Sequence, residues 1–245
     1  MTTPDMKEWL AGFKSRHGLE LPLGADLRLI EERAEMAAAY AEEHTPPRYA
    51  GALPSVPEVE EWAAAVVRGA VTDSQARGQR IATIHGGPSL LLLGPTGVGK
   101  THEAYGAMRA ISLCGIHARW LVISAADLYA RLRPRHGVDS EAEFAAIAGA
   151  EGLAVDDIGA AKNTEWVEEI NFRLVNRRYE LALPTLFTSN LPAKTRTIPG
   201  KTVTDPPVTV PGLDAVLGER VLSRLREMTR RVSMKGSDRR RGEAA

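Results

Sequence analysis

The sequence predicts an α/β fold, with a parallel sheet flanked by helices and preceded by a short helical extension. Three observations lead there. From Ser89 onward, short apolar runs alternate with stretches of helical composition, as in a parallel sheet covered on both faces. Within that alternation, residues 94–101 read GPTGVGKT, a match to the phosphate-binding pattern G-x-x-x-x-G-K-[ST]. Farther on, residues 153–157 read LAVDD, an apolar strand that ends in two acids.

The elements follow in order. Asp5–Lys14, after Pro4, and Leu27–Glu43, rich in Ala, Glu, Leu and Met, read as two helices. Thr45-Pro46-Pro47-Arg48 breaks the second and marks a linker, which puts a helical extension over residues 1–46 and the main domain over 47–245. Pro57–Ala76 is a further helix, with Trp62, Val66 and Val67 as packing residues. Expected strands are Ser89–Leu93, Arg119–Ile123, Gly152–Asp156, Thr185–Thr188 and Arg231–Met234. Expected helices are Lys100–Leu113, Ala125–Leu132, Ser140–Ala150, Glu165–Leu181 and Asp214–Met228. Residues 193–212 carry four prolines and read as a long extended loop.

Composition sets limits. At 245 residues, 44% apolar and 25% charged, the chain fits one good-sized domain with a small appendage. No apolar run approaches the roughly 20 residues that span a bilayer, so no membrane partner is expected. The N-terminus MTTPDMKEWLAGF lacks a basic segment followed by an apolar one, and a cytoplasmic location is expected. The single Cys114 excludes an internal disulfide and a multi-cysteine metal site. A formal net charge of zero hides a split: residues 1–61 hold six Lys/Arg against twelve Asp/Glu, and residues 219–245 hold nine against four. Two surfaces with different partners are one reading, solvated helix faces the other.

The chemistry starts at the glycine loop. Gly94, Gly97 and Gly99 let the backbone around Pro95, Thr96 and Val98 curl so that successive N–H groups face phosphate oxygens. The helix that follows adds the positive end of its dipole. Lys100 would reach the β- and γ-phosphates and the Thr101 hydroxyl would hold Mg²⁺, so ATP and Mg²⁺ are the expected cofactors. Asp156, at the strand end, would stand near the metal, and Asp157 could polarise an attacking water. Asn190, at the tip of Thr185–Asn190, could orient that water, although an Asn at a strand end is also a common turn residue. Arg220 and Arg224, four apart on one helix face, could reach into a neighbouring subunit's site or make ordinary salt bridges. Arg239 could return to the nucleotide, or lie in a disordered basic tail.

In this order, these residues resemble the AAA+ ATPases of the DnaC/IstB type, over roughly residues 48–240. The pieces that carry the likeness are GPTGVGKTHEAYGA (94–107), LAVDDIGAAKNTEW (153–166), PTLFTSNLP (184–192) and LGERVLSRLREM (217–228). The resemblance implies a five-stranded ASCE-type P-loop sheet, ATP hydrolysis, and assembly into a spiral or ring on single-stranded DNA. It implies Lys100 and Thr101 as the Walker A pair, Asp156 as the metal-site acid, Asn190 as sensor 1, Arg224 as the arginine finger and Arg239 as the sensor 2 arginine. Arg220 is the second candidate finger. Residues 127–144 fall where such proteins carry an inserted helix facing DNA, with Arg131, Arg133 and Arg135 as phosphate contacts or as a solvated basic face.

The sequence departs from that pattern in three places. Asp157 stands where most relatives carry glutamate, one methylene longer, which implies slow turnover suited to a switch. The segment 193–212 is longer than expected, and the N-terminal region lacks the cysteines of some zinc-bearing loader domains. The expected function is an ATP-dependent loader that delivers a replicative helicase, bound through the acidic extension, onto single-stranded DNA. An IstB-like transposase partner on double-stranded DNA, an ATP-held scaffold with little hydrolysis, and a small-molecule kinase are the alternatives.

Overall fold

The computed structural model describes residues 6–19, 27–79, 82–116, 118–162, 164–198 and 207–239. The chain begins with α1 (Met6–Arg16), α2 (Leu27–Glu43), a 3₁₀ turn at Pro47–Tyr49 and α3 (Pro57–Ala76). Then come β1 (Ser89–Leu93), α4 (Lys100–Leu113), β2 (Trp120–Ser124), α5 (Ala125–Leu132), α6 (Ser140–Ala148), β3 (Gly152–Asp156), α7 (Glu165–Glu180) and β4 (Thr185–Ser189). Two short strands, β5 (Arg196–Ile198) and β6 (Val208–Val210), precede α8 (Leu213–Val216), α9 (Gly218–Met228) and β7 (Thr229–Ser233).

The main sheet has five parallel strands in the order β2-β3-β4-β1-β7. β1 is central and all five of its residues are buried, as its unbroken leucine run requires of a strand covered on both faces. Its side chains alternate between two cores. Leu90 and Leu92 pack with Val59, Trp62, Ala104 and Met108 from α3 and α4, while Leu91 and Leu93 pack with Leu128, Leu174 and Leu225 from α5, α7 and α9. The connections after β1 and β4, adjacent in the sheet, run to opposite edges. That reversal opens a crevice beyond the carboxyl ends of the strands. No helix among the described residues is long and apolar enough to cross a membrane.

The expected sheet is present, with boundary shifts of one or two residues at β2, β4 and β7. Two expectations need correction. The helix expected over 214–228 is broken into α8 and α9, because Gly218 adopts φ 77° with the Glu168 carboxylate where a side chain would go. The segment expected as one extended loop over 193–212 contains an antiparallel pair, with Ile198 opposite Val208 and Arg196 opposite Val210. Its base is tied by Asp214, whose carboxylate accepts from the Thr195 amide at 2.8 Å and hydroxyl at 2.7 Å. Prolines break helices but tolerate short edge strands, so composition alone missed the pairing. Part of that segment, residues 199–206, lies outside the described residues, as do Asp5 and the tail beyond Arg239.

The N-terminal extension shares the main core. Phe13 of α1 is fully buried against the α3 cluster, and His17 sits between Glu60 at 3.5 Å and Glu61 at 3.1 Å. α2 packs on α4, with Glu42 3.6 Å from Arg109.

At the opposite end of the sheet from the crevice, Arg178 of α7 is fully buried. It donates to the carbonyls of Ala148, Ala150 and Pro184 and to the Thr185 hydroxyl, joining α6, α7, β3 and β4. Burial pushes its guanidinium down to about 9. Replacing it leaves several buried acceptors without donors. Arg178→Met should therefore lower the unfolding free energy by roughly 3 kcal/mol in urea titrations. A loss below about 1 kcal/mol would mean that the carbonyls find other donors.

Candidate nucleotide-binding site

A cavity of about 300 Å³ opens at the crevice. It is lined by the loop residues Thr96, Gly97, Gly99, Lys100 and Thr101, by Asp157, Asn190 and Arg239, and by Arg48, Tyr49 and His102. The glycine loop runs from β1 directly into α4. Gly97 at φ 87° and Gly99 at φ 100° take left-handed conformations that a side chain would strain, and a Cβ on Gly97 would strike the Asp238 carboxylate. Val98 is buried beneath the loop.

Lys100 is only 5% exposed. Its ammonium donates to the carbonyls of Gly94 at 2.8 Å and Pro95 at 2.9 Å, and to Asn190 Oδ1 at 2.6 Å. Asn190 in turn donates from Nδ2 to Asp157 Oδ1 at 2.7 Å. Lys100, Asn190 and Asp157 thus form one hydrogen-bonded chain across the mouth of the crevice. Asp157 itself has φ 58°, an uncommon conformation for a non-glycine residue, held by its backbone N–H bond to Thr188 Oγ1 at 2.9 Å.

Asp156 lies one step behind. Its carboxylate accepts from Thr101 Oγ1 at 3.1 and 3.0 Å and from Thr188 Oγ1 at 2.6 Å. A hydroxyl and a carboxylate converging in this way are the oxygen donors that Mg²⁺ takes from protein. No group of three or more His, Cys, Asp or Glu side chains suited to a metal gathers among the described residues, so an ion here would draw its other ligands from phosphates and water.

Of the arginines singled out, Arg239 lines the cavity. Its backbone N–H donates to the Gly97 carbonyl at 3.0 Å and its guanidinium lies against Gly99. Arg224 does not line the cavity of its own chain. It lies 4.6 Å over the Tyr179 ring and 3.3 Å from Glu227, while Arg220 lies 4.1 Å over Phe172. Both therefore face outward from the α7–α9 layer. Arg131, Arg133 and Arg135 are exposed, and Arg133 stacks 5.7 Å over Trp166. Cys114 is a half-buried helix cap whose thiol burial pushes up to about 11.

Sequence reasoning missed two parts of the site. Thr188 bridges both acids, and its only signal was its place in the polar tip that also holds Asn190. Arg48, read as linker, and Tyr49, given no role, form a wall of the cavity, and Tyr49 stacks on Tyr105 of α4 with ring centroids 4.7 Å apart and planes 13° apart. Burial, and next the charge of Asp156, raise the Tyr105 hydroxyl above the usual tyrosine value. His102 lies at the same side, and its Nδ1 is buried without a hydrogen-bond partner.

Thr188 ties the Asp156 carboxylate and the Asp157 backbone together through one hydroxyl. Thr188→Val should lower nucleotide hydrolysis at least tenfold while changing nucleotide affinity less than about threefold, the pattern for a group that orients catalytic ligands. Steady-state kinetics alongside a binding titration checks this, and equal losses in both would refute it.

Among curated proteins, none matches the chain in sequence. Among solved structures, a crystal structure of the DnaC helicase loader is similar at TM-score 0.53 and 22% identity, over 78% of this chain and 100% of that one. A putative primosome component from Streptococcus pyogenes serotype M3 is similar at TM-score 0.50 and 18% identity, over 82% of this chain and 98% of that one. These likenesses bear on the fold, which is that of the AAA+ proteins. The family model described as IstB-like ATP binding protein matches residues 47–243, from the linker to beyond Arg239. With the loop, the paired acids and Asn190 gathered around one crevice, the chain belongs to the IstB-like ATP-binding protein family.

Proposed function

We propose that this protein binds ATP and Mg²⁺, hydrolyses ATP slowly as an oligomer on single-stranded DNA, and uses that cycle to place a replicative helicase. The observation that carries the reading is the chain Lys100–Asn190–Asp157 beside Thr101–Asp156, with Arg224 left outside its own cavity.

Each residue then has a role. The loop amides from Thr96 to Thr101 receive the phosphates, and Lys100 neutralises their charge at the β–γ bridge. Thr101 and Asp156 would hold the metal, which when bound would neutralise charge building on the phosphate oxygens. Asp157 accepts a proton from the attacking water, and Asn190 fixes that water and the Asp157 carboxylate together. Arg239 reaches the same nucleotide from its own chain. Arg224, on an outward face, reaches the nucleotide of a neighbour in a spiral or ring. Asp157 is short and already committed to Asn190, which accounts for a slow, gated turnover. At the other end of the cavity, Tyr49 and Arg48, with His102 beside them, would face the base and ribose.

The exposed arginines at 131–135 supply phosphate contacts to DNA, and the acidic N-terminal extension, chiefly α2 with five Glu against two Arg, supplies the surface for the helicase. The likeness to a helicase loader supports this reading. The IstB-like family match favours a second one, partnership with a transposase on double-stranded DNA, and relative affinity for the two DNA forms separates them. A cytoplasmic site of action goes with either.

The deciding experiment is ATP hydrolysis against protein concentration, with and without single-stranded DNA. Cooperative, DNA-stimulated turnover is expected. Flat or absent turnover with ATP still bound would replace the reading with a nucleotide-gated scaffold. Lys100→Ala should reduce ATP affinity by a factor of about a hundred or more, since a buried charge-assisted contact is lost. Retained tight binding would sink the phosphate-loop assignment. Arg224→Ala should keep ATP affinity within about twofold and lose most DNA-stimulated turnover, as for a residue supplied in trans. Turnover independent of protein concentration in the wild type would exclude a trans residue.

A further inference from the structure

Glu103 lies in the first turn of α4, two residues after Thr101, and is fully buried. An isolated carboxylate is costly in such a place unless it is well supplied with donors. Its donors come from another segment. Glu103 accepts from the Ser55 amide at 2.9 Å, the Ser55 hydroxyl at 2.5 Å and the Val56 amide at 3.2 Å. Val56 is the N-cap of α3, and no side chain of that cap makes the capping bond. The carboxylate therefore supports the start of α3 from the side, taking the amide of its N-cap Val56 and that of the preceding Ser55, near the positive end of the helix dipole.

One turn along α4, Gly106 lets the chain at Leu53–Pro54 approach so closely that a Cβ there would overlap the backbone. One turn of α4 beyond Thr101, Tyr105 receives the Tyr49 ring. The segment 47–56 is thus fastened along the same helix that begins with Lys100 and Thr101. Arg48 and Tyr49, at its start, line the nucleotide cavity, and Glu103 does not. Its effect on the cavity must pass through this segment.

We propose that Glu103 is a positioning residue that holds the Arg48–Tyr49 wall against the base end of the nucleotide, so that the phosphate-loop helix fixes both ends of its ligand. The inference rests on the ATP-binding reading above. It predicts that the two ends of the ligand can be uncoupled. Losing Glu103 should weaken whatever depends on the wall and spare what the glycine loop reads alone.

The test compares Mg-ATP with inorganic tripolyphosphate, each displacing a fluorescent ATP analogue from the full chain. For Glu103→Ala, ATP affinity should fall about tenfold, the scale of one lost stacking contact, and tripolyphosphate affinity by less than about twofold. KM for ATP should rise with kcat at saturation retained, and Glu103→Gln, which keeps one acceptor oxygen, should recover part of the loss. Tyr49→Ala leaves the buried carboxylate in place and serves if Glu103→Ala fails to fold. It should show the same selective loss, and the double variant should be no weaker than the weaker single one, because both act through one wall. Equal losses for ATP and tripolyphosphate, or no loss for either, overturn the proposal and leave Glu103 a purely structural cap. The ATP reading itself is judged on the wild type: tripolyphosphate bound without any preference for ATP removes the base wall and keeps the phosphate loop, whereas binding of neither removes both.

Discussion

The buried ammonium of Lys100 organises the crevice. A cation with so little exposure must be surrounded by acceptors, and it draws them from two separate pieces of chain: the carbonyls of Gly94 and Pro95 after β1, and the amide oxygen of Asn190 after β4. Because β1 and β4 are neighbours in register, from Leu90 opposite Leu186 to Leu93 opposite Ser189, those pieces emerge side by side. The lysine locks them together. Asn190 then passes the constraint to Asp157, and Thr188 on the same strand passes it to Asp156. Five residues, from β3, β4, the positions just after them and the start of α4, are thereby fixed to one another, the preorganisation on which electrostatic stabilisation depends.

The sheet makes such precision possible. β1, β3 and β4 are clamped between two apolar layers, so their carboxyl ends shift little. Polar residues sit where the apolar runs stop: Asp156 ends β3, Ser189 ends β4 and Gly94 follows β1. The face with α3 and α4 carries the phosphate loop and, through the 47–56 segment, the far wall of the cavity. The face with α7 and α9 carries the outward arginines. The crevice is lined by elements that follow β1, β3 and β4 and by the 47–56 segment.

The buried polar groups divide in the same way. Arg178, with no carboxylate among its hydrogen-bond partners in the described residues, closes the amino end of the sheet through carbonyl dipoles. Glu103 closes the start of α3 through amides. Each is a charge satisfied by backbone groups at element ends, which ties the position of one element to another more tightly than apolar contact alone. Neither could be recognised from composition, because a lone Arg or Glu in a helical stretch reads as a surface residue.

Local order in the chain determined much of the fold. The leucine run, the glycine loop with its lysine and threonine, and the acidic strand end are each contiguous, so periodicity and turn chemistry announce the strands, the helix starts and the residues Lys100, Thr101, Asp156, Asp157 and Asn190. Tertiary structure alone decided what depends on residues far apart in sequence. Thr188 bridges two acids more than thirty positions away, Arg48 and Tyr49 wall a cavity built some fifty residues later, and Asp238 lies against Gly97 from the far side of β7. It also paired β5 with β6 inside a proline-rich stretch and turned Arg224 away from its own site. The physical reason is that propensity and motif act over a few residues, while the partner of a buried hydroxyl, ring or carboxylate is chosen by which strands and helices the packed sheet brings together.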